Sequence, residues 1–325
     1  MKILVTGGAG FIGSWYVEYF LNQHPDGEVV TLDKLTYAGN LKNLAGVIDD
    51  PRHTFIQGDV CDPGVVENAM KGISAVVHLA AESHVDRSID NAGVFLRTNV
   101  LGTGVLLEAA RRAGISKYVH VSTDEVYGSI DSGLAREESG LHPNSPYSAS
   151  KAGSDLLALS YFSTYGLPVV VTRCSNNFGP RQFPEKLISL FITNAIDDAP
   201  LPVYGDGLYK RDWIYVEDHC AAVDLILRDG RPGETYNVGG EKDRTNLEIT
   251  DLILEKMGKP KSLKTFVKDR PGHDRRYAVD SSKIERELGW KPRHGFEGAL
   301  GRTIAWYAGN EAWWRAARAG GQPIR

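Results

Sequence analysis

The sequence predicts an α/β fold: a doubly wound parallel sheet, followed by a smaller α/β substrate-binding part. Three observations carry this. Short apolar, β-branched runs alternate with longer stretches of helical periodicity, the pattern of strand–helix–strand units whose strands lie parallel. The first run, residues 2–6, passes straight into Gly7-Gly8-Ala9-Gly10-Phe11-Ile12-Gly13 and then a helix-like segment to Leu21. The second run, residues 29–32, ends on Asp33, twenty residues after Gly13. Strand, glycine turn, helix, strand and acid stand in the register of a dinucleotide site.

Each element has its reason. In Gly7-x-x-Gly10-x-x-Gly13 the missing Cβ atoms let the backbone approach a pyrophosphate, and the helix start offers free N–H groups and a positive dipole end. Asp33 can accept hydrogen bonds from an adenosine ribose and would repel a 2′-phosphate, so NAD is the expected cofactor, with Lys34 the one cation nearby. Residues 53–56 read as a third strand running into Gly58-Asp59-Val60, a polar strand end suited to adenine. Asp62 and Pro63 open a helix to Met70. Residues 75–79 form an apolar strand ending in Ala80-Ala81-Glu82-Ser83-His84-Val85-Asp86, small residues over which a cofactor can lie flat. One long helix is expected from about Asn91 to Ala113, with Asn99 bonding a neighbouring loop. Residues 117–121 are the fifth strand. This is the Rossmann-type arrangement.

The fifth strand delivers Ser122, Thr123, Asp124 and Glu125, and a loop then leads to Tyr147 and Lys151, four residues apart. Strand ends of this kind are where open α/β sheets place their active sites, and on a helix the Tyr and Lys share a face. A helix to about Tyr165 and a strand over 168–172 complete the periodic region. From Arg173 the pattern shortens. Residues 174–180 read as a polar loop, with helices at 187–196, 216–227, 247–257 and 283–288. Strands follow at 201–205, 211–215 and 235–238, the last returning to the main sheet. A basic loop spans 268–276, a Trp-rich helix starts near Phe296, and Ala316–Gly321 reads as a frayed end. The division expected is an NAD-binding part at 1–173, with the returning strand near 235–240, and a discontinuous nucleotide-sugar part at 174–325.

Composition narrows the classes. Hydrophobic residues make up 42% and charged residues 24%, ordinary for a water-soluble globular protein. A net charge of −4 without basic clusters speaks against nucleic acid. The three cysteines, Cys61, Cys174 and Cys220, have neither CxxC nor metal-ligand spacing, which suits a reducing compartment. His84 and His273 likewise lack metal spacing, so no metal is expected. A strand pattern from Lys2 predicts no signal peptide, and no apolar stretch reaches the about 18 residues of a membrane span. A cytoplasmic protein is the expectation.

The chain resembles the extended short-chain dehydrogenase/reductase family over essentially its whole length. The resemblance rests on Gly7-x-x-Gly10-x-x-Gly13, Leu79-Ala-Ala-Glu-Ser-His-Val-Asp-Arg87, Thr123-Asp-Glu-Val-Tyr-Gly128, Tyr147-x-x-x-Lys151, Asn176-Asn177-x-Gly-Pro180, Arg211-Asp-Trp213 and Asp269-Arg-Pro-Gly-His-Asp274. Within that family it is similar to the branch that dehydrates nucleotide hexoses. The Asp124–Glu125 pair discriminates: related epimerases lack it, and related GDP-mannose dehydratases keep the Glu without the Asp. Phe178 departs from the Tyr common at that place, and the loop 131–140 is short.

The resemblance implies a hydro-lyase that converts dTDP-glucose to the 4-keto-6-deoxy sugar with tightly bound NAD. Tyr147, its phenol made more acidic by the Lys151 ammonium, takes the 4-OH proton as hydride leaves C4. Glu125 then removes the C5 proton, Asp124 protonates the departing 6-OH, and hydride returns to C6. Two adjacent carboxyls push one pKa up, which keeps one of them protonated. Thr123 hydrogen-bonds the 4-oxygen.

For the cofactor, the resemblance implies contacts from Phe11, Ile12 and the glycines at one end. Asp33, Lys34, Leu35, Thr36, Asp59, Val60, Leu79, Ala81, Ser83, Thr98, Tyr147, Lys151 and Asn177 hold it as well. For the nucleotide sugar it implies Ser83, Thr123, Asp124, Glu125 and Asn176. Beyond them come Lys186, Leu187, Pro202, Tyr204, Asn246, Arg270 and His273, with Arg211 as diphosphate partner. A homodimer through the helices at 91–113 and 150–165 is expected by analogy. Trp306, Trp313 and Trp314 are read as packing. The competing readings are a UDP- or CDP-glucose dehydratase, a 4-epimerase or decarboxylase, and a non-catalytic NAD-binding protein. Asp124 and Glu125 argue against the epimerase, which needs no acid pair, and an intact Asp124, Glu125, Tyr147 and Lys151 set argues against the non-catalytic protein.

Overall fold

The computed structural model describes residues 1–240 and 242–320. Seven parallel strands form the central sheet, in the spatial order 235–238, 169–174, 117–123, 75–78, 2–6, 28–33 and 53–57. In chain order the first half runs β1 (Lys2–Thr6), α1 (Phe11–Gln23), β2 (Glu28–Asp33), β3 (His53–Gln57), α2 (Pro63–Ala69) and β4 (Ala75–His78). Then come α3 (Val85–Asp90), α4 (Ala92–Phe95), a π-helical turn over Leu96–Gly102, α5 (Thr103–Ala113) and β5 (Lys117–Thr123). A 3-10 turn at Asp124–Tyr127, α6 (Pro146–Tyr165) and β6 (Val169–Cys174) close this half.

Period-two strands send alternate side chains to opposite faces. Ile3 and Val5 join the core under α1, whereas Leu4 joins the one under α2, α5 and α6. The strand order reverses between β1 and β4. That is the point at which a doubly wound sheet opens a ligand crevice beyond its strand ends.

The second half is built of shorter pieces. β7 (Asn176–Phe178), α7 (Leu187–Ile196), β8 (Leu201–Tyr204), β9 (Lys210–Tyr215), α8 (Val216–Asp229) and β10 (Thr235–Val238) come first. β11 (Asp243–Thr245), α9 (Asn246–Lys256), β12 (Lys264–Val267), α10 (Ser282–Leu288), α11 (Phe296–Gly309) and α12 (Glu311–Gly320) follow. β10 pairs with β6 at the sheet edge, as the returning strand was read, while α8 packs against α1. β11, β9 and β7 make a three-stranded sheet, and β12 pairs with β8. Ile188, Phe191, Ile249, Leu300 and Trp314 belong to the same buried cluster as Ile3 and Val5, so one core runs through both halves.

Four expectations needed correction. The long helix at 91–113 is broken: Asn91 ends α3, and the chain passes through the π-helical turn before α5. Asn99 sits inside that turn and holds both backbone groups of Glu82, at 2.9 and 3.0 Å, which is its expected loop-bonding role. The polar loop at 174–180 contains β7, paired in parallel with β9 because Phe178 buries itself between Trp213 and Tyr215. The Trp-rich helix is two helices, separated at Asn310. The supposed fray at 316–321 is helical through Gly320 (Gly321 lies outside the described residues), anchored by the buried Trp314.

Candidate active site

A cavity of about 1060 Å³ opens over the strand ends at the reversal point. Its floor is the glycine turn. Gly7 has φ +70°, and a Cβ there would lie 2.7 Å from the Ala80 nitrogen; at Gly13 one would lie 2.7 Å from the Gly8 Cα. Any side chain at either place would push the turn off the sheet. No side chain caps the start of α1 at Gly10, so its first N–H groups point free toward the cavity.

Asp33 stands buried at the end of β2. Its Oδ2 accepts from Ala9 N at 2.9 Å and Oδ1 from Leu35 N at 2.8 Å. Burial raises its pKa, and the backbone donors partly offset that. Lys34, the cation that could have welcomed a 2′-phosphate, is paired with Asp59 at 2.8 Å. A phosphate-sized cradle without side chains and a carboxylate where a ribose would lie fit NAD. Thr36, Val60, Leu79, Ala81, Ser83, Thr98 and Asn177 also line the cavity, with Phe11 and Ile12 beside the glycines. Leu35 does not; its contribution is the N–H that orients Asp33.

The wall facing this floor is α6 and the end of β5. Ser145 and Ser148 form a reciprocal capping box, with Pro146 in the first turn, and this sets Tyr147 and Lys151 on one inward face. Both are buried and both line the cavity. The Lys151 ammonium donates to the Val121 carbonyl at 2.7 Å. Burial pushes the Tyr147 phenol well above its usual range; Glu125 adds to this and the Thr123 hydroxyl opposes it. The Lys151 ammonium is turned to the strand, and burial is the largest influence on the phenol.

Thr123 begins the 3-10 turn and its Oγ1 lies 3.3 Å from Asp124 Oδ1. Glu125 lines the cavity. Asp124 is 2% exposed and stands behind that wall, its Oδ2 without a hydrogen-bond partner. Burial, then Glu125, then Asp212 raise its pKa well above the ordinary carboxyl range. A buried acid kept neutral by a second acid is suited to donating a proton.

Cations gather farther along. Arg211 is 6% exposed and donates to the carbonyls of Lys210 (2.7 Å) and Asp274 (2.9 Å), its guanidinium 4.2 Å over the Tyr277 ring. Among the described residues it has no ion pair, with Asp212, Glu217 or any other acid. Lys186 donates to the Ser83 carbonyl at 2.6 Å. Arg270 pairs with Asp86 at 3.1 Å, and Tyr204 donates to the same carboxylate. A buried and a half-buried cation, Arg211 and Lys186, held by carbonyls alone make a site for a dianion such as a diphosphate. Asn176, Leu187, Pro202, Asn246 and His273 complete this end; His273 bonds Asp269 at 2.7 Å and stacks on Tyr209 at 3.8 Å. No cluster of three or more His, Cys, Asp or Glu among the described residues could hold a metal.

Sequence reasoning missed Tyr277 and Glu185. The Tyr277 hydroxyl reaches Asp274 at 2.7 Å and Glu125 at 3.5 Å. It stands three residues beyond the last motif and in no periodic pattern, so nothing local marked it. Glu185 precedes Lys186 on an irregular loop, where an acid reads as surface.

Residues 4–303 match the family described as GDP-mannose 4,6 dehydratase. A dTDP-glucose 4,6-dehydratase of Actinoplanes sp. is 55% identical over 319 residues, covering 97% of this chain and 100% of its own. The crystal structure of DesIV, a dTDP-glucose 4,6-dehydratase from Streptomyces venezuelae with NAD and TYD bound, superposes with a TM-score of 0.96 at 54% identity, covering 98% of this chain and 100% of that one. The UDP-glucose 4-epimerase of Thermus thermophilus, in complex with NAD, gives 0.88 at 32% identity, with 95% of this chain and 100% of that chain covered.

Proposed function

The chain belongs to the GDP-mannose 4,6-dehydratase family, and on that premise we propose that it is a hydro-lyase converting dTDP-glucose to dTDP-4-keto-6-deoxy-glucose with NAD. The observation that supports this best is the set of Thr123, Glu125 and Tyr147 lining one cavity, with the second carboxyl, Asp124, buried directly behind them and its pKa raised by burial and by Glu125. An epimerase needs no such pair.

When bound, NAD supplies acceptance of the C4 hydride and its return at C6. The chain's own residues do the rest. The glycine turn and Asp33 hold the cofactor, and Lys151 fixes the end of β5 against α6. Tyr147, acting as its phenolate, receives the proton of the sugar 4-OH, with Thr123 oriented to the same oxygen. Once C4 is a ketone the C5 proton is acidic; Glu125 removes it and later restores it. Asp124 supplies the proton with which the 6-oxygen leaves as water. Each such acid–base role is worth about 10²–10⁴ in rate. Arg211 and Lys186 hold the diphosphate.

Residues 1–173 with the strand near 235–240 act as the NAD-binding part, and residues from 174 onward mainly as the nucleotide-sugar part. The protein works as a homodimer. Leu96, Leu101, Leu156, Phe162 and Tyr165, all exposed on the helical layer of the π-helical turn and α6, offer an apolar face that a second copy would cover. Sparse free cysteines and the absence of any helix long and apolar enough to cross a membrane among the described residues support a cytoplasmic setting.

The test is incubation of the purified protein with dTDP-glucose and no added NAD. A 4-keto-6-deoxy product, seen by its absorbance in alkali, is expected, with UDP- and CDP-glucose poorer. No product from any nucleotide glucose, even after NAD is added, sinks the reading.

A further inference from the structure

The cavity's cofactor end has two banks. One is the loop after Asp33, with Lys34, Thr36, Ala38 and Gly39; the other is the loop before α7, with Gln182, Phe183, Pro184 and Glu185. A polar cluster around the buried Glu185 joins them. The Tyr37 hydroxyl donates to Glu185 Oε1 at 2.8 Å, and Arg87 Nε donates to Glu185 Oε2 at 3.1 Å. The Arg87 guanidinium lies 4.0 Å over the Tyr37 ring, whose edge meets Phe183 at 5.3 Å and 88°. Glu185 is only 8% exposed, so its charge is satisfied inside the molecule by these two donors. One donor comes from the loop that carries the ribose acid and the other from the helix after β4.

We infer that Tyr37, Glu185 and Arg87 form a latch that closes the two banks over the cofactor and sets how slowly it leaves. The inference rests on the NAD-dependent dehydratase reading. In that reaction the hydride taken from C4 must be given back at C6 of the same sugar, so a cofactor that escapes between the two steps ends the cycle without product. A closed bank above it prevents this. Burial and the neighbouring Glu185 keep the Tyr37 phenol far above its usual range, so it stays a donor at any working pH. The loop is also fastened elsewhere: Arg181 donates to the Asn43 carbonyl and the Trp313 indole to Asn43 Oδ1, each at 3.0 Å, and Asn43 donates to the Ala9 carbonyl at 2.9 Å. Removing the Tyr37 hydroxyl therefore frees the bank at the cavity and leaves the loop's outer attachment intact.

Tyr37→Phe keeps the ring against Phe183 and Arg87 and removes only the hydrogen bond. Release of bound NAD from purified holoprotein, without any nucleotide sugar, is followed by trapping free NAD with excess alcohol dehydrogenase and ethanol. Release from the variant is expected to be about tenfold to a hundredfold faster, the range set by one hydrogen bond to a charged group. Its kcat with saturating added NAD should match the unmodified protein. An unchanged release rate overturns the latch. So does a kcat that stays low at saturating NAD, which would assign Tyr37 to the shape of the cavity. A preparation that neither carries nor takes up NAD overturns the cofactor reading itself, and the latch with it.

Discussion

Tyr147–Lys151 and Asp124–Glu125 stand on adjoining parts of one cavity wall but are made in different ways. The first pair belongs to a regular helix. Its capping box, its Pro146 and its spacing are local, and any sequence with these features sets a phenol and an ammonium on one face. The second pair belongs to a single 3-10 turn between a strand end and Gly128 at φ +75°. Nothing local gives its two carboxyls different roles. What separates them is surroundings: Asp124 is sunk behind the wall near Asp212, while Glu125 faces the cavity beside Tyr277. The half that supports hydride chemistry is a matter of helix geometry, and the half that makes the reaction an elimination is a matter of burial and charge.

Substitutions should separate the halves. The largest effect is expected from Tyr147→Phe, which removes the group serving the first step. Turnover should fall by about 10²–10⁴, and nucleotide sugar should produce no reduced-nicotinamide absorbance. Glu125→Gln should cost a similar factor in product but leave the first step intact, so that the near-ultraviolet absorbance of reduced cofactor builds up on adding substrate. Absorbance lost in both variants would mean that the two halves are one unit; product formed at the normal rate by Glu125→Gln would remove that residue from the elimination.

The same contrast explains what could be read from the sequence. The glycine turn, Asp33, Tyr147 and Lys151 were legible because each follows from a backbone requirement at fixed spacing. So did the strand over 235–238, which carries the same apolar, β-branched texture as the other sheet strands. The π-helical turn at Leu96–Gly102 was not legible: it arises where Asn99 turns in to hold the Glu82 backbone, and helical periodicity hides that shift. β7 escaped because three residues are too few for a period, and its pairing with β9 depends on aromatic partners more than thirty residues away. Lys151 was placed correctly on its helix face but its partner was not foreseen, since the Val121 carbonyl belongs to another strand. Tyr277 and Glu185 act across the cavity, and no local signal points across it.

Asp124→Asn gives the next smaller effect and tests the electrostatic half directly. The amide keeps the shape but has no proton to give, so turnover should drop, by about 10²-fold at the lower end of acid catalysis. The pH dependence carries the sign. Burial and Glu125 raise the Asp124 pKa, so the acid form persists above the ordinary carboxyl range and is lost as pH rises through that raised value. The unmodified protein should lose elimination on the alkaline side, while the residual rate of the variant should lack that limb. An alkaline limb unchanged in the variant would assign it to another group.

The smallest effect is on stability, in the opposite direction from activity. A carboxyl whose pKa is raised on folding costs nothing while both states hold the proton, below the unfolded value of about 4. As pH climbs from there the unfolded chain ionises and the folded one resists, so the folded state loses ground until the buried group itself ionises. Asn at position 124 removes this ionisation cost, while its amide nitrogen takes the unpartnered place of Oδ2 without satisfying it. Its Tm should equal that of the unmodified protein at low pH and exceed it at neutral and mildly alkaline pH, by an amount on the order of 2–4 °C, the value of about 1 kcal/mol in a large domain. Paired melts at the two pH values decide the matter. A variant less stable at both would show that Asp124 is held by contacts its burial conceals, and the difference between the two carboxyls would then have to come from Glu125 alone.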